Sequence, residues 1–275
     1  MYIDINDVRV HYEIEGNGIP LLCIHGYYAD HRLMKGMMEA IIGHMNIKRI
    51  YLDLPGMGLT ENYSSIKSAD DFVSLICDFV DEIIPEERFL IAGFSYGGYL
   101  SRAVHKKKRE LVDGIVLVCP AIYSDRKMRE LPKQEILLLD ENIDDHFTEL
   151  EKVAFNKVSV IQDVKVYERY KKEILVSNGL CDFKFLVRML KNNYSVSFDV
   201  DHIESLYEMP ALIICGRQDS VVGYKDAFGI LSNYKHIDYH VIDGAGHNVH
   251  FEREELFNSI VLEWFERVIK RNGKE

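Results

Sequence analysis

The chain has 275 residues, 47% of them hydrophobic, enough to bury a large core. Lys+Arg 33 against Asp+Glu 44 leaves a formal charge of −11, which argues against partners presenting a nucleic-acid phosphate backbone or an anionic membrane surface. No run reaches the ~18 apolar residues of a membrane span. Met1–Val10 carries charges where a secretory leader would be apolar, so a cytoplasmic setting is expected.

Strand-like and helix-like segments alternate along the chain. Tyr2–Ile5 and Val8–Ile14 alternate in polarity around Asn6-Asp7 and predict a hairpin. Pro20–Ile24 is a short apolar run of the kind buried on both faces of a sheet. Arg32–Ile42 has helical spacing, and Ile47–Leu52 is strand-like again. Ser68 and the acids Asp70 and Asp71 open a helix with Phe72, Leu75, Ile76, Phe79, Val80 and Ile83 on one face. The run Arg88–Phe94 predicts a strand, Tyr96–Lys107 a helix, and Val112–Cys119 the sixth strand. Further strands are expected at Pro210–Cys215 and Ile237–Ile242, and an amphipathic helix at Glu252–Ile269. Strands separated by helix-length crossovers imply an α/β architecture with a mostly parallel central sheet flanked by helices.

Between Ala121 and Glu208 the rhythm changes. No strong strand run appears there, and helical patterns are read at Gln134–Leu139, His146–Phe155, Val164–Val176 and Phe183–Leu190. Residues 121–208 are therefore expected to form a helical cap over the carboxyl edge of the sheet, with 1–120 and 209–275 forming the core domain. The five cysteines show no C-x-x-C spacing, so neither a disulfide framework nor a zinc site is expected. His247 and His250 form an H-x-x-H pair, but on a loop rather than a helix, which does not suit a metal.

The segment Gly93-Phe94-Ser95-Tyr96-Gly97-Gly98 carries the chemistry. An apolar strand ends at a serine with glycines two residues to either side, where a side chain would collide with neighbouring backbone. A serine hydroxyl is a weak nucleophile and needs an imidazole to take its proton and a carboxylate to orient that imidazole. Two glycine-bearing loops follow later strands: Gly216-Arg217-Gln218-Asp219, and Gly244-Ala245-Gly246-His247. In a parallel sheet the carboxyl ends of the strands converge, so Ser95, Asp219 and His247 are expected to meet. Asp125, after the sixth strand, is the other carboxylate weighed for the acid. The turn His25-Gly26-Tyr27 would aim the Tyr27 N–H at the elbow, and with the Tyr96 N–H at a helix start would form an oxyanion hole. Asp53-Leu54-Pro55-Gly56-Met57-Gly58 reads as a rigid supporting loop. His25 reads as a structural imidazole, while His31, Tyr27, Tyr28 and Tyr96 are pocket candidates that core packing would equally explain.

With these blocks in place, the chain resembles the α/β-hydrolase superfamily of esterases, C–C bond hydrolases, epoxide hydrolases and dehalogenases. The resemblance implies Ser95 as nucleophile, His247 as base and Asp219 as acid. Serine rather than aspartate at the elbow points away from epoxide and haloalkane chemistry. The expected activity is hydrolysis of a small to medium carboxylic ester through an acyl-enzyme, with no metal or organic cofactor, and with monomer and homodimer both left open. Three alternatives share the scaffold: a C–C bond hydrolase of a vinylogous diketone acid, a thioesterase, and a slow-turnover ligand sensor. The first calls for a cationic pocket, with Arg126, Arg129, Arg169 and Arg188 as candidates.

Overall fold

The computed structural model describes residues 1–140, 143 and 148–272. The strands of its main sheet are β1 (Tyr2–Ile5), β2 (Val8–Glu15), β3 (Ile19–Ile24), β4 (Ile47–Leu52), β5 (Phe89–Phe94) and β6 (Val112–Val118), then β9 (Tyr207–Gly216) and β10 (Tyr234–Ile242). Their order is β1-β2-β4-β3-β5-β6-β9-β10. Only β1–β2 and β2–β4 pair antiparallel; the rest of the sheet is parallel. Parallel strands need crossovers, and the helices α1 (His31–Ile42), α2 (Ala69–Ile83), α3 (Tyr96–Lys107) and the C-terminal α10 (Glu254–Asn272) are elements of suitable length. β5 is buried along its whole length, as its unbroken apolar run requires. α2 starts with a capping box in which Ser68 and Asp71 satisfy each other's backbone N–H.

Between β6 and β9 lie two two-residue strands, β7 (Leu138–Leu139) and β8 (Ile161–Gln162), paired parallel to each other. The helices of this segment are α4 (Glu149–Asn156), α5 (Val164–Tyr170) running through a π-turn at Lys171–Leu175 into α6 (Val176–Asn178), and α7 (Phe183–Asn192). The helix expected at Gln134–Leu139 is absent. Its backbone is extended, because Leu137 N bonds Val160 O and Asp140 N bonds Gln162 O, and the leucines in it stay exposed. A pairing partner some twenty residues away decides this, and local periodicity does not report it. Of the helix expected at His146–Phe155, residues 146 and 147 lie outside the described residues, and α4 occupies it from Glu149 onward. The helix expected at Glu252–Ile269 is α10, which starts at Glu254, and a separate short α9 (Val249–Glu252) precedes it. A short α8 (Lys225–Phe228) follows β9. Among the described residues no helix is long and apolar enough to cross a membrane.

Candidate active site

Ser95 stands at the junction of β5 and α3, with φ 55° and ψ −116°, a region that penalises any side chain. The surroundings hold it there. Ser95 N donates to Val118 O at 3.0 Å, and Ser95 O accepts from Gly98 N and Ala121 N, each at 3.0 Å. A Cβ on Gly93 would overlap Gly97 O, and one on Gly97 would overlap Ile24 O at the end of β3. The two glycines thus let α3 start against the sheet edge and push the serine outward.

Asp219 and His247 follow β9 and β10, the next strands along the same edge. His247 Nε2 lies 3.0 Å from Ser95 Oγ, and His247 Nδ1 lies 2.8 Å from Asp219 Oδ2. The Asp219 carboxylate is fully buried, and its other oxygen accepts from the N–H groups of Val221 (2.8 Å) and Val222 (3.1 Å). Those bonds satisfy the buried charge and aim the free lone pairs at the imidazole. With Asp219 accepting at Nδ1, the neutral tautomer carries its proton there and leaves Nε2 as the acceptor facing the hydroxyl. Asp125 accepts from Lys127 N at 2.9 Å and caps a short turn; it is Asp219 that meets the ring.

The His25-Gly26 turn abuts the elbow: a Cβ on Gly26 would lie 2.9 Å from Phe94 Cδ1 and 3.3 Å from Ser95 Cβ. The N–H of Tyr27 takes no backbone acceptor among the described residues, and Tyr96, as the first residue of α3, has no intrahelical acceptor. Both are therefore available to a ligand oxygen. His25 holds the turn: Nδ1 bonds Gly26 O at 2.8 Å and Nε2 accepts from Leu54 N at 3.0 Å. Full burial lowers its pKa, so the ring stays neutral in this role.

Ser95 and His247 open on a cavity of about 760 Å³. Tyr27 and Tyr28 line it; Tyr96 instead packs behind it, stacked on Tyr194 with ring centroids 4.1 Å apart. His31 is not at the cavity. It belongs to a buried cluster in which Asp53 receives His31 Nδ1 and His11 Nδ1, both at 2.8 Å. Burial alone would favour the neutral acid, yet these imidazoles hold the Asp53 carboxyl well below the usual carboxylate range. For His31 burial works against the charged ring, but the bond and charge of Asp53 outweigh it and raise the pKa. Asp53 also accepts from Leu59 N at 2.9 Å, so this cluster braces the loop after β4. His11, Nδ1 and all, was invisible in this role because it sits on the hairpin, remote from every motif.

The four candidate arginines separate. Arg126 and Arg129 line the cavity, with Arg129 donating to the carbonyls of Tyr123, Ser124 and Val221. Arg169 is turned away onto Glu173 and Glu254, and Arg188 lies over the Phe185 ring on another groove. His250 shows no metal-like setting. It is buried against Phe94 and Phe251, neither ring nitrogen has a hydrogen-bond partner among the described residues, and burial pushes its pKa well below the ordinary value. Glu252, which no motif marks, is a second buried acid beside the site. Its carboxylate accepts from Gly246 N at 2.6 Å on the histidine loop, and from Val160 N (2.5 Å) and Ile161 N (3.1 Å) at β8. Burial, with Asp219 nearby, pushes its pKa up to about 7 against the pull of those three donors.

A mostly parallel eight-stranded sheet with a serine elbow after β5 and polar loops after β9 and β10 is the α/β-hydrolase fold. The family model described as serine aminopeptidase, S33, matches residues 20–254, and the chain belongs to that family of α/β hydrolases. It is similar to 2-hydroxy-6-oxononadienedioate/2-hydroxy-6-oxononatrienedioate hydrolase of Burkholderia vietnamiensis, 26% identical over 276 residues, covering 96% of this chain and 93% of that one. It is also similar to monoacylglycerol lipase ABHD6 of Bos taurus, 23% identical over 269 residues, covering 92% of this chain and 77% of that one. Among solved structures, an alpha/beta superfamily hydrolase from Oenococcus oeni PSU-1 superposes with a TM-score of 0.88 at 26% identity, covering 98% of this chain and 99% of that one.

Proposed function

We propose that the protein is a serine hydrolase that cleaves small to medium carboxylic esters through an acyl-enzyme. The observation that carries this reading is the unbroken row of contacts from Ser95 Oγ to His247 Nε2 and from His247 Nδ1 to Asp219 Oδ2. His247 takes the hydroxyl proton as Ser95 Oγ attacks the carbonyl carbon. Asp219 stabilises the imidazolium that forms. The oxyanion is received by the N–H groups of Tyr27 and Tyr96, where one such donor is worth ~10²–10³ in rate. The imidazolium then protonates the leaving alcohol, and water activated by the same ring releases the acid.

The cavity suits a medium-sized, partly apolar acyl group, with Leu33, Val158, Ile174 and Leu190 on its walls. No step of this chemistry calls on a metal or an organic cofactor. A second reading, cleavage of a C–C bond in a vinylogous diketone acid, is favoured by Arg126 and Arg129 at the same cavity, since cations there would receive a substrate carboxylate. A fluorophosphonate probe mapped by mass spectrometry tests the first claim: label on Ser95 in the native chain and none in Ser95→Ala is expected, and label elsewhere or nowhere would overturn it. Turnover of p-nitrophenyl acetate against a dienone acid then separates the two readings.

A further inference from the structure

The helix α7 divides around its axis into three strips. Phe185, Leu186 and Met189 are buried. Phe183, Val187 and Leu190, spaced i, i+4, i+7, form a neighbouring row that is 50%, 39% and 45% exposed. Lys184, Arg188 and Lys191 form the next row, also exposed, and none of the three makes an ion pair with a carboxylate among the described residues. Two acids lie by the helix: Asp182 is occupied as its N-cap, accepting from Phe185 N at 3.0 Å and from Tyr63 Oη at 3.2 Å, and Glu61, which lines a groove with Lys184 and Arg188, pairs with Arg9 at 3.1 Å. The apolar row leads to the active-site cavity. Phe183 stacks on Tyr28 at its rim, with centroids 5.5 Å apart, and Leu190 lies on the cavity wall.

We propose that this face of α7 docks on an anionic lipid–water interface and delivers substrate from it to the cavity. Water is a poor solvent for three contiguous large apolar side chains, and a basic row beside them is the pattern of a helix lying in the plane of a headgroup layer. The charge of −11 on the whole chain opposes such a surface at long range, but charges more than a Debye length away are screened, and the local row is purely cationic. Each Lys or Arg near an anionic leaflet strengthens binding about five-fold. Orientation follows from the placement: Leu190, which lines the cavity, enters the interface when the apolar row is immersed.

The test uses full-length Ser95→Ala protein, so that binding is read without turnover. It is floated with vesicles of phosphatidylcholine alone and of phosphatidylcholine mixed with phosphatidylglycerol. Binding to the mixed vesicles, weakened more than ~25-fold by Lys184→Glu with Arg188→Glu and at least ~25-fold by Val187→Glu, supports docking. Equal binding by the variants, or none by the parent, overturns it. So does sedimentation of the parent as a dimer that Val187→Glu dissociates while vesicles are ignored, because the row would then cover a second copy. The same substitutions in the Ser95 background should leave hydrolysis of p-nitrophenyl acetate in buffer unchanged, which separates loss of docking from loss of fold. The outcome is independent of whether Ser95 is the nucleophile.

Discussion

At the scale of single residues, Glu252 has the largest consequence for the site. Its carboxylate joins the backbone of the His247 loop to that at β8, so one side chain ties the imidazole's platform to the inserted segment. In Glu252→Gln the amide can accept at only one oxygen, and an NH₂ group must face at least one N–H donor. Leaving such a donor unmet costs ~1–3 kcal/mol. The sign of its pH dependence can be worked out. A carboxyl raised in the fold from an ordinary value of 4.5 to about 7 is protonated in the fold while the unfolded chain has ionised. Its contribution to stability is therefore complete below about pH 4.5 and declines as pH rises to about 7. The difference in urea-unfolding free energy between the native chain and Glu252→Gln is expected to shrink across that window, and a difference that grew with pH would contradict it. The kcat of the variant should fall more than its KM rises, since the base is displaced and the cavity remains.

At the scale of elements, the site depends on α3 starting almost in contact with the ends of β3 and β5. Gly97 sits where a methyl group would strike the backbone oxygens of Ile24 and His25, which cannot rotate away as a side chain could. Gly97→Ala must lift the first turn of α3 from the sheet, carrying the Tyr96 N–H with it. The expected result is a loss of about 3 kcal/mol from overpacking and a fall of ~10² in kcat from the displaced donor. Gly179→Ala is the matched control, because its nearest contact would be Val176 O at an ordinary 3.4 Å. Denaturant midpoints and steady-state rates on both variants check this; equal effects would mean that glycine content, not the close approach, matters. These elements were also the most legible part of the sequence. β5 and α3 are betrayed by a buried run stopping at Gly-x-Ser-x-Gly, where local sterics alone dictate the residues. Asp219 and His247 could be found because each follows a strand by a few residues. Glu252, His11 and the pairing of β7 with β8 were not legible, because each acquires its role from a partner distant in sequence. The inserted segment was read least well for the same reason: its extended stretch at 137–140 is held by the backbone of residues 160–162.

At the scale of the whole molecule, the segment between β6 and β9 is tied to the sheet domain at many polar contacts, and Arg169 gathers several of them at one point. From α5 its guanidinium reaches Glu173 Oε1 at 2.8 Å, Glu254 Oε1 on α10 at 2.9 Å, Gly36 O on α1 at 3.0 Å and His250 O at 3.3 Å. It also lies 4.8 Å from the Phe251 ring centroid. Glu173 fills a notch in α1 that exists because residue 36 is glycine, where a Cβ would overlap the carboxylate. Arg169→Met keeps the apolar stem and removes the charge, leaving Glu173 buried without its partner, at a cost of about 3 kcal/mol. Burial already raises the Glu173 pKa against the pull of Arg169, and without that arginine it rises further. Protonation then relieves the buried charge at low pH, so the deficit should be small near about pH 5 and largest near about pH 8. Urea midpoints of the native chain and Arg169→Met at the two pH values check the sign. Limited proteolysis should cut the variant first between residues 121 and 206 while the sheet domain survives, with KM raised more than kcat is lowered. Cleavage that begins instead in the sheet domain would mean that Arg169 braces α1 and α10 rather than the inserted segment.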